Sequence, residues 1–206
     1  MFGARPRRAA VMIGWTAVVP LKMGPNSKSR LGSLLSPEHR RHLVGRMADH
    51  VVNALDAVGA IDETVVIGTS SKPDWPVRLV PDLGRGLNGE LDAAALTIIN
   101  RLIVIHGDLP CVEPRDISDL LTAAEESGFA IAADRHGQGT NALALTHLPA
   151  GFAFAFGEGS FAAHHALLGD KLAIIDRPGL ACDIDTPEDF QYAVSRCYLS
   201  FPETVL

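Results

Sequence analysis

Two short acidic segments of the sequence carry the residue types that bind a divalent cation. The run LIVIHGDLPCV, residues 102–112, is aliphatic until it ends on Asp108, and the segment DID supplies Asp183 and Asp185. An acid that ends a central strand of an open α/β sheet points into the ligand crevice, and alternate residues of an extended segment face the same side. Mg²⁺ binds few protein carboxylates together with substrate phosphate oxygens. We therefore predict a Mg²⁺ site at these three acids; the alternative is that they only cap helices.

A basic loop has the composition of a phosphate-binding segment. In VVPLKMGPNSKSRLG, residues 18–32, a hydrophobic strand leads into glycine and serine, and Lys22, Lys28 and Arg30 surround them. Exposed backbone N–H groups and nearby cations suit a triphosphate. The spacing GxxxxGK[ST] of a Walker loop is absent. The alternative is an ordinary strand-to-helix loop with three solvated cations.

Two glycine-rich segments each contain a hydroxyl that could bind a small anion. ADRHGQGTNALAL carries Thr140, and FAFGEGSFAAHHAL carries Ser160 at the predicted start of a helix, where free N–H groups favour an anion. The adjacent His164 and His165 diverge by about 100° on a helix, so a shared metal role is unfavourable. We expect a solvated or substrate-facing histidine there.

A third glycine-rich segment, LGRGLNGELDAAAL at residues 83–96, precedes a helix and could lie flat against a nucleotide base. Asn88 offers both a donor and an acceptor to a purine edge or a ribose, and Gly89 allows close approach of the backbone. We predict that both residues bind nucleotide, although a simple loop explains the pattern nearly as well.

The order of the hydrophobic segments indicates an α/β fold with three layers and a mostly parallel sheet. Short aliphatic runs that read as strands occupy residues 15–21, 63–69, 101–108, 129–134 and 171–176, with a weaker candidate at 140–148. Helical spacing occupies residues 36–58, 87–99, 114–127 and 160–168, and a last helix is predicted to start at Thr186 and Pro187.

Length and charge limit the class of protein. A chain of 206 residues fits one domain, and 24 acidic against 18 basic residues make nucleic-acid binding improbable. The longest apolar runs are too short to span a membrane. Three dispersed cysteines predict neither a disulfide framework nor a zinc ribbon and favour a reducing cytoplasm. We assign residues 1–10 to a flexible N-terminal extension and 11–206 to the domain.

With these segments considered together, the chain resembles the 2-phospho-L-lactate guanylyltransferase family of coenzyme F-420 biosynthesis, relatives of the molybdenum-cofactor nucleotidyltransferases. The resemblance runs from about residue 18 to about residue 194 and rests on VPLKMGPNSKSRL, GLNGEL, HGDLP, ADRHGQGTNAL, FGEGSF and CDIDTPEDF. GDLP and DIDTPED mark a wide group of sugar-nucleotide-like transferases, whereas KxxxxxKSRL, GxGTNAL and FGxGS are narrower. The N-terminal extension and the neutral histidines after Ser160 depart from the pattern.

The resemblance implies a single-domain, Rossmann-like nucleotidyltransferase fold and roles for individual residues. The implied Mg²⁺ ligands are Asp108 and Asp183. The implied triphosphate loop contains Lys22, Lys28 and Arg30. The implied contacts to a phosphorylated three-carbon acid are Thr140, Gly157 and Ser160.

The reaction implied by the resemblance is transfer of GMP from GTP to the phosphate of phosphoenolpyruvate, 2-phospho-L-lactate or 3-phospho-D-glycerate, with release of pyrophosphate. Catalysis would come from Asp108, Lys22, Lys28 and Arg30 through position and charge neutralisation. A homodimer and hand-over of the product to a downstream transferase stay open. The alternatives are a related nucleotidyltransferase acting on a molybdopterin or a sugar phosphate, perhaps with CTP, and a non-catalytic nucleotide-binding protein.

Overall fold

A seven-stranded sheet organises the computed structural model, which describes residues 14–24, 26–68, 74–99 and 101–196. The strands are β1 Trp15–Pro20, β2 Ile61–Ile67, β3 Arg78–Val80, β4 Arg101–Ile105, β5 Phe129–Ala133, β6 Thr140–Leu145 and β7 Leu172–Ile174. The helices are α1 Pro37–Asp56, α2 Gly86–Ala95, α3 Pro114–Ser127, α4 Ser160–Leu168, α5 Pro178–Ala181 and α6 Pro187–Arg196. Two 3-10 turns, Ser29–Ser33 and Gly169–Lys171, complete the set. The predicted domain start and the extension at residues 1–10 lie outside the described residues.

The strand order β3-β2-β1-β4-β6-β5-β7 confirms the predicted, mostly parallel α/β sheet. Every pairing is parallel except the two that β6 makes with β4 and β5. The chain goes from β1 through β2 to β3 on one side and returns to place β4 on the other side of β1. Ligands of open α/β sheets bind at such a switch point, outside the carboxyl ends of the strands.

Both faces of the sheet are buried, which explains why the strand sequences are almost continuously apolar. In β1, Ala17 and Val19 pack in the cluster with α1 and α3, while Val18 packs in the opposite cluster with Leu91 of α2 and Leu168 of α4. No helix among those that the structure describes is both long enough and apolar enough to cross a membrane.

The helix predictions hold closely where capping chemistry is clear in the sequence. Ser36 caps α1 by accepting a hydrogen bond from the backbone N–H of His39, and Pro37 begins the helix, as predicted. Thr186 and Asp189 form reciprocal hydrogen bonds at the start of α6. The structure corrects several bounds: β4 ends at Ile105 rather than at Asp108, and α2 ends at Ala95 rather than at residue 99. The short elements β3 and α5 were not predicted.

Gly68 makes the close approach of two strand ends possible. Its φ is +109°, and a Cβ at this position would lie 2.5 Å from the carbonyl oxygen of Leu21. Leu21 in turn donates its N–H to the carbonyl of Ile67 at 2.8 Å, so that the chain leaving β1 is fixed against the end of β2. The basic loop starts at Lys22, directly after Leu21.

We expect Gly68→Ala to lower the free energy of unfolding by about 2–4 kcal/mol, because it combines a disfavoured φ with a backbone clash. The matched control is Gly59→Ala, where a Cβ would meet nothing within 4 Å and which should change stability by less than about 0.5 kcal/mol. Urea unfolding of both variants measures the difference. Equal stabilities would show that the contact between Gly68 and Leu21 is not required.

Candidate active site

Asp108 stands at the switch point because the chain turns sharply after β4. His106 donates its backbone N–H to the carbonyl of Asn141 at 2.9 Å, which extends the β4–β6 pairing by one residue. Gly107 follows, and a Cβ there would lie 3.2 Å from Val19 and 3.3 Å from Leu21. A larger residue would push the turn away from β1, so glycine keeps Asp108 at the end of the sheet.

The ammonium of Lys28 lies between two of the predicted metal ligands. Its Nζ forms ion pairs with Asp108 and, at 2.7 Å, with Asp185. Burial alone would lower the pKa of Lys28, but the two carboxylates outweigh that effect and hold it above its ordinary value. Burial opposes ionisation of Asp108 as well, and Lys28 nevertheless keeps the pKa of that carboxyl below its ordinary value. Asp108 and Asp185 therefore form a site that binds a positive charge, here the ammonium of Lys28.

Asp183 belongs to the same group of charges. Asn141 donates from its side-chain amide to Asp183 at 3.1 Å and to the carbonyl of Leu180 at 2.9 Å. Burial, followed by the negative charge of Asp108 and then that of Asp185, raises the pKa of Asp183 to about 6. The negative charges of Asp108 and Asp185, one of them from a distant segment of the chain, thus act on Asp183.

The basic loop is held in place by hydrogen bonds that the sequence did not reveal. The hydroxyl of Ser27 donates to the carbonyl of Lys22 at 2.6 Å and accepts from the N–H of Gly24 at 2.8 Å. Buried Arg40, from α1, donates to the carbonyl of Ser27 at 3.2 Å. Lys28 adopts a left-handed backbone conformation with φ +51°, and its ammonium reaches Asp108 and Asp185.

A cavity of about 600 Å³ opens along this edge of the sheet. One end of the cavity is lined by Lys22, Lys28, Asp108 and Asp185. The other end is lined by Gly86 and other residues at the start of α2. Arg30 is exposed on the 3-10 turn and does not line this cavity. Its predicted phosphate contact stays a prediction.

Asn88 has a different contact from the predicted one. Its amide donates to the carbonyl of Phe156 at 3.0 Å and accepts from the N–H of the same residue at 2.8 Å. Asp92, one turn later, accepts from the N–H of Phe154 at 3.0 Å. Helix α2 therefore fixes the segment before Gly157. Neither Asn88 nor Gly89 lines the cavity, so their nucleotide contacts also stay predictions.

The three predicted contacts to the acceptor acid lie close together around α4. Ser160 begins this helix, Gly157 precedes it with φ +129°, and Thr140 begins β6. The N–H of Phe161 donates to the carbonyl of Gln138 at 3.1 Å, which joins the two glycine-rich segments. Thr140 and Ser160 are each only 1% exposed. The structure brings these residues together without testing their binding role.

His164 corrects an expectation. We predicted a solvated or substrate-facing histidine. His165 is exposed, as predicted, but His164 is not. His164 is 0% exposed; its Nδ1 lies 3.1 Å from Oγ1 of Thr140, and its Nε2 accepts from the N–H of Ala155 at 3.1 Å. A residue on the inner face of α4 between two loops is buried even where the sequence of the helix has no clear apolar side.

Sequence comparison with known proteins identifies the family of this chain. A sequence model described as guanylyl transferase CofC like matches residues 15–194. The chain belongs to this family. Two relatives, each named phosphoenolpyruvate guanylyltransferase, come from Sphaerobacter thermophilus (37% identical, covering 85% of this chain and 90% of the relative) and Chloroflexus aurantiacus (36% identical, 87% and 93%). The predicted resemblance is confirmed, and the chain is a guanylyltransferase.

Solved structures agree on the fold of this guanylyltransferase. A putative nucleotide-diphospho-sugar transferase from Desulfovibrio desulfuricans G20 superposes with a TM-score of 0.65 at 14% identity, covering 91% of this chain and 89% of that one. A nucleotidyl transferase from Methanothermobacter thermautotroptrophicus gives 0.58 at 17% identity, covering 87% and 95%. The predicted single-domain, Rossmann-like nucleotidyltransferase fold is confirmed.

The donor set of the guanylyltransferase fits a hard divalent cation. Within the described residues, no group of three or more histidine, cysteine, aspartate or glutamate side chains is arranged to hold a metal ion. An incomplete set is what Mg²⁺ uses when substrate phosphates supply further ligands. Oδ1 of Asp108 is buried without a hydrogen-bond partner, and the ammonium of Lys28 already occupies the space between Asp108 and Asp185 as a cation. Both observations fit an oxygen-ligated ion.

The cysteines add one correction. Cys182, directly before Asp183, is a buried free thiol whose pKa burial raises to about 11. Cys111 is disulfide-bonded, which the sequence did not predict.

We expect His164 to make folding stability pH-dependent. Burial, with a smaller contribution from His106, lowers the pKa of His164 from 6.5 to about 4. Between pH 6.5 and 4 this histidine is therefore protonated in the unfolded chain but neutral in the folded protein. The free energy of unfolding falls by about 1–3 kcal/mol as the pH decreases over this range. Urea unfolding of His164→Asn should show a smaller loss over this range. The exposed His165→Asn variant is the control, and a wild-type slope in His164→Asn would contradict the assignment.

Proposed function

We propose that this guanylyltransferase transfers GMP from GTP to the phosphate of phosphoenolpyruvate, as a step of coenzyme F-420 biosynthesis. An oxygen of the acceptor phosphate attacks the α-phosphorus of GTP, the bond between the α-phosphorus and its bridging oxygen breaks, and pyrophosphate leaves. The observation that carries the proposal is that Asp108 and Asp185 together bind a positive charge, that of Lys28, at the switch point of the sheet. The names of the relatives support phosphoenolpyruvate over the other two acids.

Charge neutralisation explains the catalytic residues. An acceptor phosphate is already ionised near neutral pH, so the attack needs no general base, and the barrier comes from bringing polyanions together. Lys22 and Lys28 line the cavity and would bind the triphosphate, with Arg30 joining from the exposed turn. Asp108 and Asp185 orient Lys28, which prevents its flexible side chain from extending into solvent.

Mg²⁺ is the cofactor that we propose for this site. Asp108, through its unpaired Oδ1, and Asp183 would hold it, while Asp185 stays paired with Lys28. When bound, the ion would neutralise negative charge on the phosphates. Burial first, and then the negative charges of Asp108 and Asp185, raise the pKa of Asp183, and a bound cation would favour its ionised form.

The remaining partners follow the family rather than a contact in the structure. We propose that the product, a guanylylated phospho-acid, is handed to a downstream transferase; a homodimer stays open. The cytoplasmic location stays a prediction.

The acceptor is tested by a substrate panel. GTP, CTP and ATP are each combined with phosphoenolpyruvate, 2-phospho-L-lactate and 3-phospho-D-glycerate, and pyrophosphate release is measured with and without Mg²⁺. We expect the highest kcat/KM for GTP with phosphoenolpyruvate, and loss of turnover with EDTA that Mg²⁺ restores. Faster turnover with another acid would replace the acceptor, and full activity in EDTA would remove the metal from the proposal.

The metal ligands are tested by Asp108→Asn, which keeps the shape of the side chain but removes its charge. We expect kcat/KM to fall at least about 100-fold while the far-UV circular dichroism spectrum stays that of the folded wild type. The exposed Asp170→Asn variant, on the turn after α4, is the control and should keep wild-type kinetics. Unchanged turnover in Asp108→Asn would refute the assignment.

A further inference from the structure

One buried imidazole connects the three residues predicted to contact the acceptor acid. His164 lies one helical turn after Ser160, so both occupy the inner face of α4, and both are buried. Its ring contacts Oγ1 of Thr140 and the N–H of Ala155, each at 3.1 Å. Ala155 is two residues before Gly157. A single ring therefore connects the start of β6, the loop of Gly157 and the helix of Ser160.

The hydrogen bonds of His164 also define its tautomer. The backbone N–H of Ala155 can only donate, so Nε2 must be an unprotonated acceptor. A neutral imidazole then carries its hydrogen on Nδ1, and this N–H donates to Oγ1 of Thr140. Thr140 thus accepts from the ring, and its own hydroxyl hydrogen is directed away from the ring.

The surroundings of the ring make this arrangement rigid. The ring of Phe156 packs edge-on against His164, with 4.8 Å between ring centroids, and Asn88 holds both backbone groups of Phe156. Movement of the imidazole would therefore require the loop before Gly157 to move with it.

We propose that His164, as the Nδ1–H tautomer, is the positioning residue of the acceptor subsite and sets the affinity for phosphoenolpyruvate through Thr140 and the loop of Gly157. This inference rests on the proposed function. His164 itself contacts no reacting atom. A displacement of about 1 Å in a positioned substrate can cost about 100-fold in rate, so small shifts of these segments have measurable kinetic effects.

The kinetic test separates positioning from folding. We expect His164→Leu to raise the KM for phosphoenolpyruvate at least about 10-fold and to change the KM for GTP less than about 3-fold, because the nucleotide cavity does not include this ring. His164→Asn, whose amide nitrogen can replace Nδ1 as the donor to Thr140, should recover most of that affinity. His165→Gln on the exposed side of α4 is the control and should match the wild type. A purely structural role would lower the yield of active enzyme and leave both KM values unchanged.

Thr140→Val tests the connection from the other side, since it removes the acceptor oxygen with little change of shape. We expect a similar rise in the KM for phosphoenolpyruvate and, in combination with His164→Leu, a rise smaller than the product of the two single effects. Additive effects, or a KM in His164→Leu within about 2-fold of the wild type, would overturn the proposal.

Nitrogen-15 NMR of the wild-type protein provides a readout that needs no variant. We expect the ring signals of His164 to show the proton on Nδ1, and a proton on Nε2 would overturn the proposal. Absence of turnover by the wild type with phosphoenolpyruvate would instead refute the proposed function, and with it the acceptor role. An active wild type with an unchanged His164→Leu variant would refute the positioning role alone.

Discussion

The structure of the site depends on the balance of charge at the switch point of the sheet. Three carboxylates meet there, and one ammonium, that of Lys28, forms ion pairs with two of them. Burial of Asp183, together with the negative charges of Asp108 and Asp185, opposes its ionisation and raises its pKa to about 6. Such a group is costly for the folded protein unless a cation or a ligand completes it. In the function proposed above, a polyanionic substrate and its divalent ion would offset that cost.

The antiparallel direction of β6 explains how residues from distant segments meet at the ligand side of the sheet. In a purely parallel sheet, only the ends of strands reach the ligand side, whereas an antiparallel strand begins there. Thr140 and Asn141 are the first two residues of β6, and both use their side chains for hydrogen bonds at this edge. Asn141 fixes Asp183 next to the end of β4. One reversed strand therefore connects the proposed cation site with the acceptor segments.

The sequence predicted the parts of the structure that local chemistry determines. Hydrophobic periodicity and capping residues located α3 and α4 correctly, and motif resemblance selected the acids that meet in space. The sequence missed contacts in which a side chain binds distant backbone, such as Arg40 with Ser27 and Asn88 with Phe156. The two residues of each such pair have no fixed spacing along the chain. Their pairing follows from tertiary packing, which one sequence without structure does not reveal.

The burial of His164 shows why residue type alone gave the wrong environment. A pair of histidines on a helix with no clear apolar side suggests solvent, but only His165 is exposed. A buried polar group is stable when every donor and acceptor is satisfied, and His164 meets this condition with one backbone N–H and one hydroxyl. An aliphatic residue could fill the same volume without fixing the direction of Thr140. The polar group in this otherwise apolar layer is explained by its two hydrogen bonds, because leucine would leave the N–H of Ala155 without its acceptor and would not orient Thr140.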